Sequence, residues 1–258
     1  MTLRHTKPDF GAPTTQLSSP AYTADVLEGL GRIGAIGLYT RGGKVLYATS
    51  FEDGLAGWVQ KISGTGAISI DNAIAFHGAA SVKMTPQSAS AFDVLLEKRF
   101  PLMFHTRYGL EALISMDALA TGFELFLGFL SQKYGTVPQY AVKYDQPSAT
   151  LKYLDSAGNF TTFASSIPDL RNISGDASPI WILAKLLVSA DPSAFGYHAF
   201  VLNDLIYDMR ALDYRNTASA SPNPRLTAQV WAFDTSGGQH PTRVDCLLLT
   251  TDEPAYVS

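Results

Sequence analysis

A long succession of short apolar segments, each bounded by turn-forming residues, constrains this chain more than any other feature of its sequence. From residue 44 onward these segments have strand length, and clusters of Gly, Pro, Asn, Asp and Ser separate them. Several alternate with a two-residue period, as where Tyr140, Val142 and Tyr144 alternate with Ala141 and Lys143. The strands predicted in this way are 44–51, 67–70, 81–84, 92–100, 108–116, 123–132, 139–144, 150–155, 160–163, 180–189, 196–202, 205–209, 226–234 and 243–251.

The turns between these segments predict that strands adjacent in sequence pair as antiparallel hairpins. Asn203 and Asp204 form a two-residue loop that tolerates positive φ, and the Asp, Ser, Gly and Asn residues of 155–159 join two alternating segments. No helical crossover pattern lies between the strands, as a parallel sheet would require, and no repeat of fixed period occurs. The chain is therefore predicted to be an all-β, antiparallel two-sheet sandwich.

The N-terminal region is predicted to lie outside this sandwich. Residues 1–22 are rich in Ser, Thr and Pro and should form an extended arm, residues 23–44 a short helix and a Gly-rich connection, and residues 45–258 the sandwich domain. An arm without a hydrogen-bonded ladder must gain order from a neighbour, because fixing each residue costs about 1–2 kcal/mol of backbone entropy. Its apolar residues predict assembly contacts, which are Leu3, Phe10, Leu17 and Tyr22.

Composition excludes several classes of partner. The chain has 46% hydrophobic residues and a net charge of -4, with no basic run that could follow a nucleic acid backbone. Its apolar stretches are too short to predict a membrane span, and its single cysteine, Cys246, cannot form an internal disulfide. Residues 1–10 lack the apolar core of a secretory signal, so we expect the chain to remain in the cytoplasm in which it is made.

Five segments carry a resemblance to a known family. The sequence SFEDGLAGW at 50–58 resembles the opening of a jelly-roll carbohydrate-binding module of the concanavalin A-like type, and similar strings follow at 78–84, 181–188, 197–209 and 244–249. The resemblance extends over residues 45–251 and implies a concanavalin A-like jelly-roll sandwich. A second, narrower resemblance is to uncharacterised structural proteins of tailed-phage virions. It covers the residues before the first strand, the strand itself and the Phe-Glu-Asp-Gly sequence that follows.

The virion resemblance implies a function. The chain is predicted to be a non-catalytic structural protein of a phage particle, a capsid-surface, decoration or other virion component. Its arm would contact other copies of itself and capsid proteins. The alternative is a carbohydrate-binding module or lectin-like protein, and the two are compatible. A glucanase-type enzyme ranks third, because its Glu-x-Asp-x-x-Glu string is absent and Glu97, Glu111 and Glu124 stand apart in sequence.

Candidate site residues follow from both interpretations. Three tyrosines are candidates for stacking on a sugar, namely Tyr140, Tyr144 and Tyr153. The sequence fits equally well with ordinary strand residues that contact no ligand. The three tryptophans, Trp58, Trp181 and Trp231, are predicted to pack in the core.

No cofactor is predicted except a structural Ca²⁺, which the family resemblance implies. By that analogy its oxygen ligands would be Glu52 and Asp245, with backbone oxygens near Asp71. The alternative is that no metal binds, and that Glu52 is an ordinary acidic residue of a turn and Asp245 an ordinary acidic residue of the surface. The five histidines are scattered and have no metal-binding spacing.

Overall fold

The fold is taken from a computed structural model of the whole chain. It describes residues 43–86, 94–101, 107–117, 122–132, 135–171, 179–189, 195–218, 224–234 and 240–253. The predicted arm with Leu3, Phe10, Leu17 and Tyr22, and the predicted short helix, lie outside the described residues.

Sixteen strands and their connections make up the described residues, which contain no helix. Nothing in this part of the chain has the length and apolar character of a membrane-spanning helix. The strands are β1 (Lys44–Thr49), β2 (Val59–Ile62), β3 (Ala67–Asp71), β4 (Ser81–Thr85), β5 (Val94–Pro101), β6 (Arg107–Met116), β7 (Phe123–Gln132), β8 (Thr136–Asp145), β9 (Thr150–Leu154), β10 (Phe160–Ala164), β11 (Ile182–Ser189), β12 (Gly196–Leu202), β13 (Leu205–Asp208), β14 (Arg215–Ala218), β15 (Arg225–Asp234) and β16 (Thr242–Thr251).

The strands form two antiparallel sheets of eight strands each. Sheet 1 has the order β13-β12-β11-β6-β16-β4-β3, with β1 paired to β16. Sheet 2 has the order β10-β9-β8-β7-β15-β5-β2, with β14 paired to β8. The predicted all-β, two-sheet antiparallel jelly-roll sandwich is confirmed.

One long strand in each sheet changes its neighbour partway along its length. In sheet 1, β16 pairs with β4 over Thr242–Val244 and then with β1 after a bulge at Asp245. In sheet 2, β8 pairs with β14 up to Gln139 and with β9 from Val142 onward. A strand that changes partners leaves main-chain groups without a ladder partner at the junction, so side chains must satisfy them.

The core lies between the sheets and is built by the alternation seen in the sequence. Strand residues of one parity point inward, and on sheet 2 these include the fully buried Leu96, Leu127, Val142 and Val230. Residues of the other parity form the opposite surface of the sheet, which we call the open face of sheet 2. Both predicted hairpin loops are present, with Asn203 at φ 52° and Gly158 at φ 88°.

Candidate functional site

A groove of about 400 Å³ lies on the open face of sheet 2. It crosses the strands from β14 and β10 towards β2, so residues of all eight strands of sheet 2 contribute to it. Its lining comprises aliphatic and aromatic side chains, two amides and two cations, namely Leu95, Leu130, Ala141, Leu154, Phe160, Trp231, Gln139, Gln229, Lys61 and Arg215, and the residues Gly158 and Tyr140 also border it. Volume and composition are those of a ligand site, in which a largely apolar surface carries a few placed polar groups.

Trp231 forms the centre of the groove floor. Its ring lies on the open face with Leu95, Ala141 and Leu154, in a cluster separate from the main core. Gly128 on the neighbouring strand makes room for it, because a Cβ there would lie 2.9 Å from the indole ring. Trp231 is therefore packed in a buried hydrophobic cluster, as predicted, but this cluster lies on the open face of sheet 2 and not between the two sheets. It is buried at 6% exposure, yet it faces the groove.

The other two tryptophans lie elsewhere. Trp58 packs inside the sandwich against Phe51 and Tyr47, with ring centroids 5.7 and 6.0 Å away, so its predicted core position is confirmed. Trp181, which was also predicted to pack in the core, is only half-buried: it immediately precedes β11 and contacts Phe76 edge-on at 6.0 Å.

Glu97 is a buried carboxylate beside the groove, next to the lining residues Lys61 and Gln229. Its oxygens accept hydrogen bonds from Lys61 Nζ at 2.9 Å, Arg99 Nε at 2.8 Å and Gln229 Nε2 at 3.2 Å. Burial alone would raise the pKa of Glu97, but the bonds from Lys61, Arg99 and Gln229 outweigh it and hold the pKa below its usual range. The carboxylate stays ionised and fixes the lysine and the amide at the groove.

Tyr197 supports the groove floor from the core side. It belongs to β12 of sheet 1, and its hydroxyl crosses the core to β8, at the point where β8 changes partner from β14 to β9. There it accepts a hydrogen bond from Ala141 N at 2.9 Å and lies 3.1 and 3.0 Å from the carbonyl oxygens of Ala141 and Leu154. Ala141 and Leu154 line the groove, so this contact ties sheet 1 to the binding surface.

The three candidate tyrosines point away from the open face, and their assignment as stacking residues is corrected. Tyr140, Tyr144 and Tyr153 are 1%, 4% and 9% exposed and pack in the core between the sheets. Tyr197 contacts the rings of Tyr140 and Tyr153 edge-on at 5.3 and 5.7 Å. A sugar cannot stack on a ring that protein atoms already cover on both sides.

Glu52 and Asp245, the candidate calcium ligands, both contact the segment at 76–80. Asp245 accepts hydrogen bonds from the backbone nitrogens of Phe76 and His77 at 2.8 and 3.0 Å, and Glu52 from those of Ala79 and Ala80 at 2.7 and 3.2 Å. The partners of these carboxylates are backbone N–H groups that donate hydrogen bonds, whereas Ca²⁺ is bound by a shell of about six to eight oxygen ligands.

The rest of the proposed calcium site does not fit either. Asp71 pairs with Arg243 at 2.8 Å, and no group of three or more His, Cys, Asp or Glu suited to a metal occurs in the described ranges. Burial raises the pKa of Asp245 despite its amide bonds. The residues do not fit the metal that the resemblance implies, and they act instead as two carboxylate clamps on a loop.

The other acids considered for catalysis are not brought together. Glu124 pairs with Lys143 at 2.8 Å on the open face of sheet 2. Glu111 lies on sheet 1, where Lys185 Nζ is 3.4 Å from it and 2.8 Å from Glu253.

Most groove residues were absent from the sequence-based candidates, although one signal pointed to them. Along β15 the polar Thr227 and Gln229 alternate with small apolar residues, and Trp231 continues the polar series. The period of two therefore assigns Trp231 to the open face.

Comparisons with known proteins establish the fold class of this molecule. No family model and no curated protein matches the sequence. Among solved structures, the cellulose induced protein Cip1 is similar over 82% of this chain and all of its own, with 13% identity and a TM-score of 0.51. The molecule thus shares its jelly-roll sandwich fold with Cip1, and a shared fold alone does not assign a function.

Two further solved structures are similar to this chain. The potassium-bound carbohydrate recognition domain of Emp46p has 8% identity and a TM-score of 0.48, over 80% of this chain and 94% of that domain. The CBM22-1 xylan-binding domain from Paenibacillus barcinonensis Xyn10C has 12% identity and a TM-score of 0.36, over 84% of this chain and all of that domain. The resemblance to phage virion proteins is not shown by these comparisons.

Proposed function

We propose that this protein is a non-catalytic carbohydrate-binding protein and that its glycan lies in the groove on the open face of sheet 2. The observation that carries the proposal is the groove itself, with an aromatic and aliphatic floor around Trp231 and two amides, Gln139 and Gln229, beside it. A sugar ring has apolar C–H faces and a rim of hydroxyls, so it needs both kinds of surface together.

The polar groups of the groove are held in place before any ligand arrives. Glu97 binds the amide of Gln229 and the ammonium of Lys61, and the side chain of Gln139 donates to Thr217 Oγ1 at 3.1 Å. A preformed arrangement reduces the conformational entropy lost on binding. This favours recognition of a weakly hydrophobic, heavily hydroxylated ligand.

The state of the carboxylates supports binding without hydrolysis. Glycoside hydrolysis needs a second carboxyl group with a raised pKa to act as the acid. No Asp or Glu is among the residues that line the groove in the described part of the chain, and the adjoining Glu97 has a lowered pKa. We therefore expect no cleavage of any bound glycan, and a new reducing or unsaturated end would contradict this.

A glycan array probed with the purified full chain tests the proposal. The informative variant is Phe160→Ala, which removes the aromatic wall on β10 above Lys143, whose Nζ lies 4.9 Å from the ring centroid. Phe76→Ala is the matched control, because Phe76 is 39% exposed and lies on the sheet 1 side, away from the groove. Binding that Phe160→Ala weakens and Phe76→Ala leaves intact supports the proposal, whereas no array signal, or equal loss in both, contradicts it.

The virion role and the arm-mediated assembly stay predictions from the sequence. They are compatible with glycan binding, since a particle protein can also contact host sugars. Stoichiometric recovery of this chain in purified particles would support them.

A further inference from the structure

The open face of sheet 2 has a positive charge that the rest of the chain does not share. The whole chain has a net charge of -4. Among the described strands, however, the registers place six Lys and Arg against three Asp and Glu on this one face. The cations are Lys61, Arg99, Lys143, Lys152, Arg215 and Arg225, and the acids are Glu97, Glu124 and Asp145.

Each acid on this face is already paired with a cation of the same face. The pairs are Glu97 with Lys61 and Arg99, Glu124 with Lys143, and Asp145 with Lys152. Burial alone would raise the pKa of Asp145, but the ion pair with Lys152 outweighs burial and keeps this pKa below its usual range. In the same way, the ion pairs with Lys61 and Arg99 keep the pKa of Glu97 below its usual range. Glu97 and Asp145 therefore remain ionised, and with six cations against three acids the described strand residues of this face keep an excess of positive charge.

Arg215 carries this excess into the groove. It lies on β14 opposite Gln139, and its guanidinium passes beside Gly158, where a Cβ would lie 3.2 Å from it. Among the described residues no carboxylate forms an ion pair with Arg215, and Arg215 lines the groove. A guanidinium can bind a carboxylate or sulfate through two parallel hydrogen bonds.

Lys61 lies at the opposite end of the groove. It belongs to the edge strand β2, four strand positions from β8, so about 20 Å of sheet separates the backbones of β2 and β8 at ~4.8 Å per strand. Its side chain is 53% exposed and held by Glu97, which shares its charge with Arg99. Cations therefore flank an apolar floor on both sides, and the residues lining the groove include no acid in the described part of the chain.

Resting on the proposed glycan binding, we infer that the groove selects an anionic glycan, whose carboxylate or sulfate groups contact Arg215 at one end and Lys61 at the other. The apolar floor around Trp231 binds the sugar faces, and the cations discriminate in favour of charged saccharides. Attraction between such groups is screened by salt, so affinity should fall as ionic strength rises.

The experiment compares neutral glycans with charged derivatives of the same backbones. The full chain is titrated with a panel of neutral oligosaccharides, each paired with its C6-oxidised and its C6-sulfated form, at low and at physiological ionic strength. We expect at least about tenfold tighter binding to one or both charged forms, because hydrogen bonds to charged groups are roughly twice as strong as those between neutral groups. The two charged arms distinguish a uronate from a sulfated ligand.

Variants assign the selectivity to the groove. Arg215→Gln should weaken binding of the charged form about tenfold or more and weaken binding of the neutral form much less, so that the preference for the charged form is lost, and Arg215→Lys should restore part of that preference. Arg210→Gln is the matched control, since Arg210 is an exposed arginine after β13 of sheet 1, paired with Asp208. Its affinity should equal that of the wild type, and melting temperatures verify that each variant is folded.

The outcomes separate this inference from the proposal on which it rests. Equal or tighter binding of the neutral forms overturns the anionic selectivity while glycan binding stands. No binding to any member of the panel overturns both. Tighter binding to single-stranded DNA than to every charged glycan would also overturn the inference, because a phosphate backbone would then satisfy the cations better than a saccharide.

Discussion

Removing one oxygen atom from the core should loosen the floor of the groove. Tyr197→Phe deletes the hydroxyl that bonds Ala141 and Leu154, where β8 changes its partner strand. Tyr197 is 2% exposed, so water does not reach this position without a rearrangement. The ring and its contacts with Tyr140 and Tyr153 are retained. The variant therefore isolates the polar contribution.

The expected loss follows from what the deletion leaves unpaired. The amide of Ala141 loses its acceptor, which costs about 1–3 kcal/mol for a buried donor. The hydroxyl proton shared by two carbonyl oxygens contributes about one further hydrogen bond, or ~1 kcal/mol. We expect a loss of about 2–4 kcal/mol in the free energy of unfolding, which corresponds to roughly 5–15 °C in melting temperature for a domain of this size.

Urea denaturation and calorimetry of the two proteins measure this difference. The matched control is Tyr207→Phe, a half-buried tyrosine of β13 whose ring packs on Phe163 at 6.0 Å. Its hydroxyl has no hydrogen bond to another described residue, so the expected change is within about 0.5 kcal/mol. Equal losses in Tyr197→Phe and Tyr207→Phe would refute the reasoning.

Three further predictions concern charge, metal and packing. Glu97→Gln should destabilise the protein by about 1–2 kcal/mol at neutral pH. The loss stays this small because the two cations that pair with Glu97 are half-exposed, so that solvent screens the ion pairs. Because the folded pKa of Glu97 lies below the ordinary 4.5, this contribution is present above that value and disappears as the pH falls through the folded pKa; a pH-independent difference would contradict it. Chelation and Ca²⁺ addition should leave the melting temperature unchanged, whereas Glu52→Ala should lower stability by about 1–2 kcal/mol; a rise on adding Ca²⁺ would show a bound metal. In denaturant titrations Leu127→Ala should cost about 2–5 kcal/mol, while Leu205→Ala, 49% exposed, should cost little; similar losses would contradict the assigned core.

Turn chemistry and strand period account for most of what the sequence predicts about the fold. The segments 123–132 and 196–202 were predicted with the bounds that the structure has, because turn-forming residues flank an apolar alternation. Strands β2 and β14 were missed. Val59–Ile62 and Arg215–Ala218 are short edge strands with exposed polar residues, so their β structure depends on pairing with β5 and β8 rather than on their own pattern.

The groove was harder to predict than the fold for a physical reason. Strand period tells which residues share a face, but it does not tell which face of a sheet meets the other sheet. The alternation of Tyr140 and Tyr144 with Lys143 puts the two tyrosines on one face of β8, but it does not tell whether that face meets a ligand or the other sheet. The strand order of sheet 2 is what places Arg215, Gln139 and Lys61 along one groove. No local sequence pattern contains this order.

The central claim, that a glycan binds over Trp231, can be tested by tryptophan emission. A variant carrying Trp58→Phe and Trp181→Phe leaves Trp231 as the single tryptophan of the chain. It is titrated with the glycan that gives the strongest array signal, and calorimetry verifies that binding persists. We predict a saturable change in emission whose midpoint matches the calorimetric affinity, because the ligand covers the groove face of Trp231. Emission that stays constant while calorimetry shows full binding would mean that the glycan binds elsewhere, and the account would be wrong.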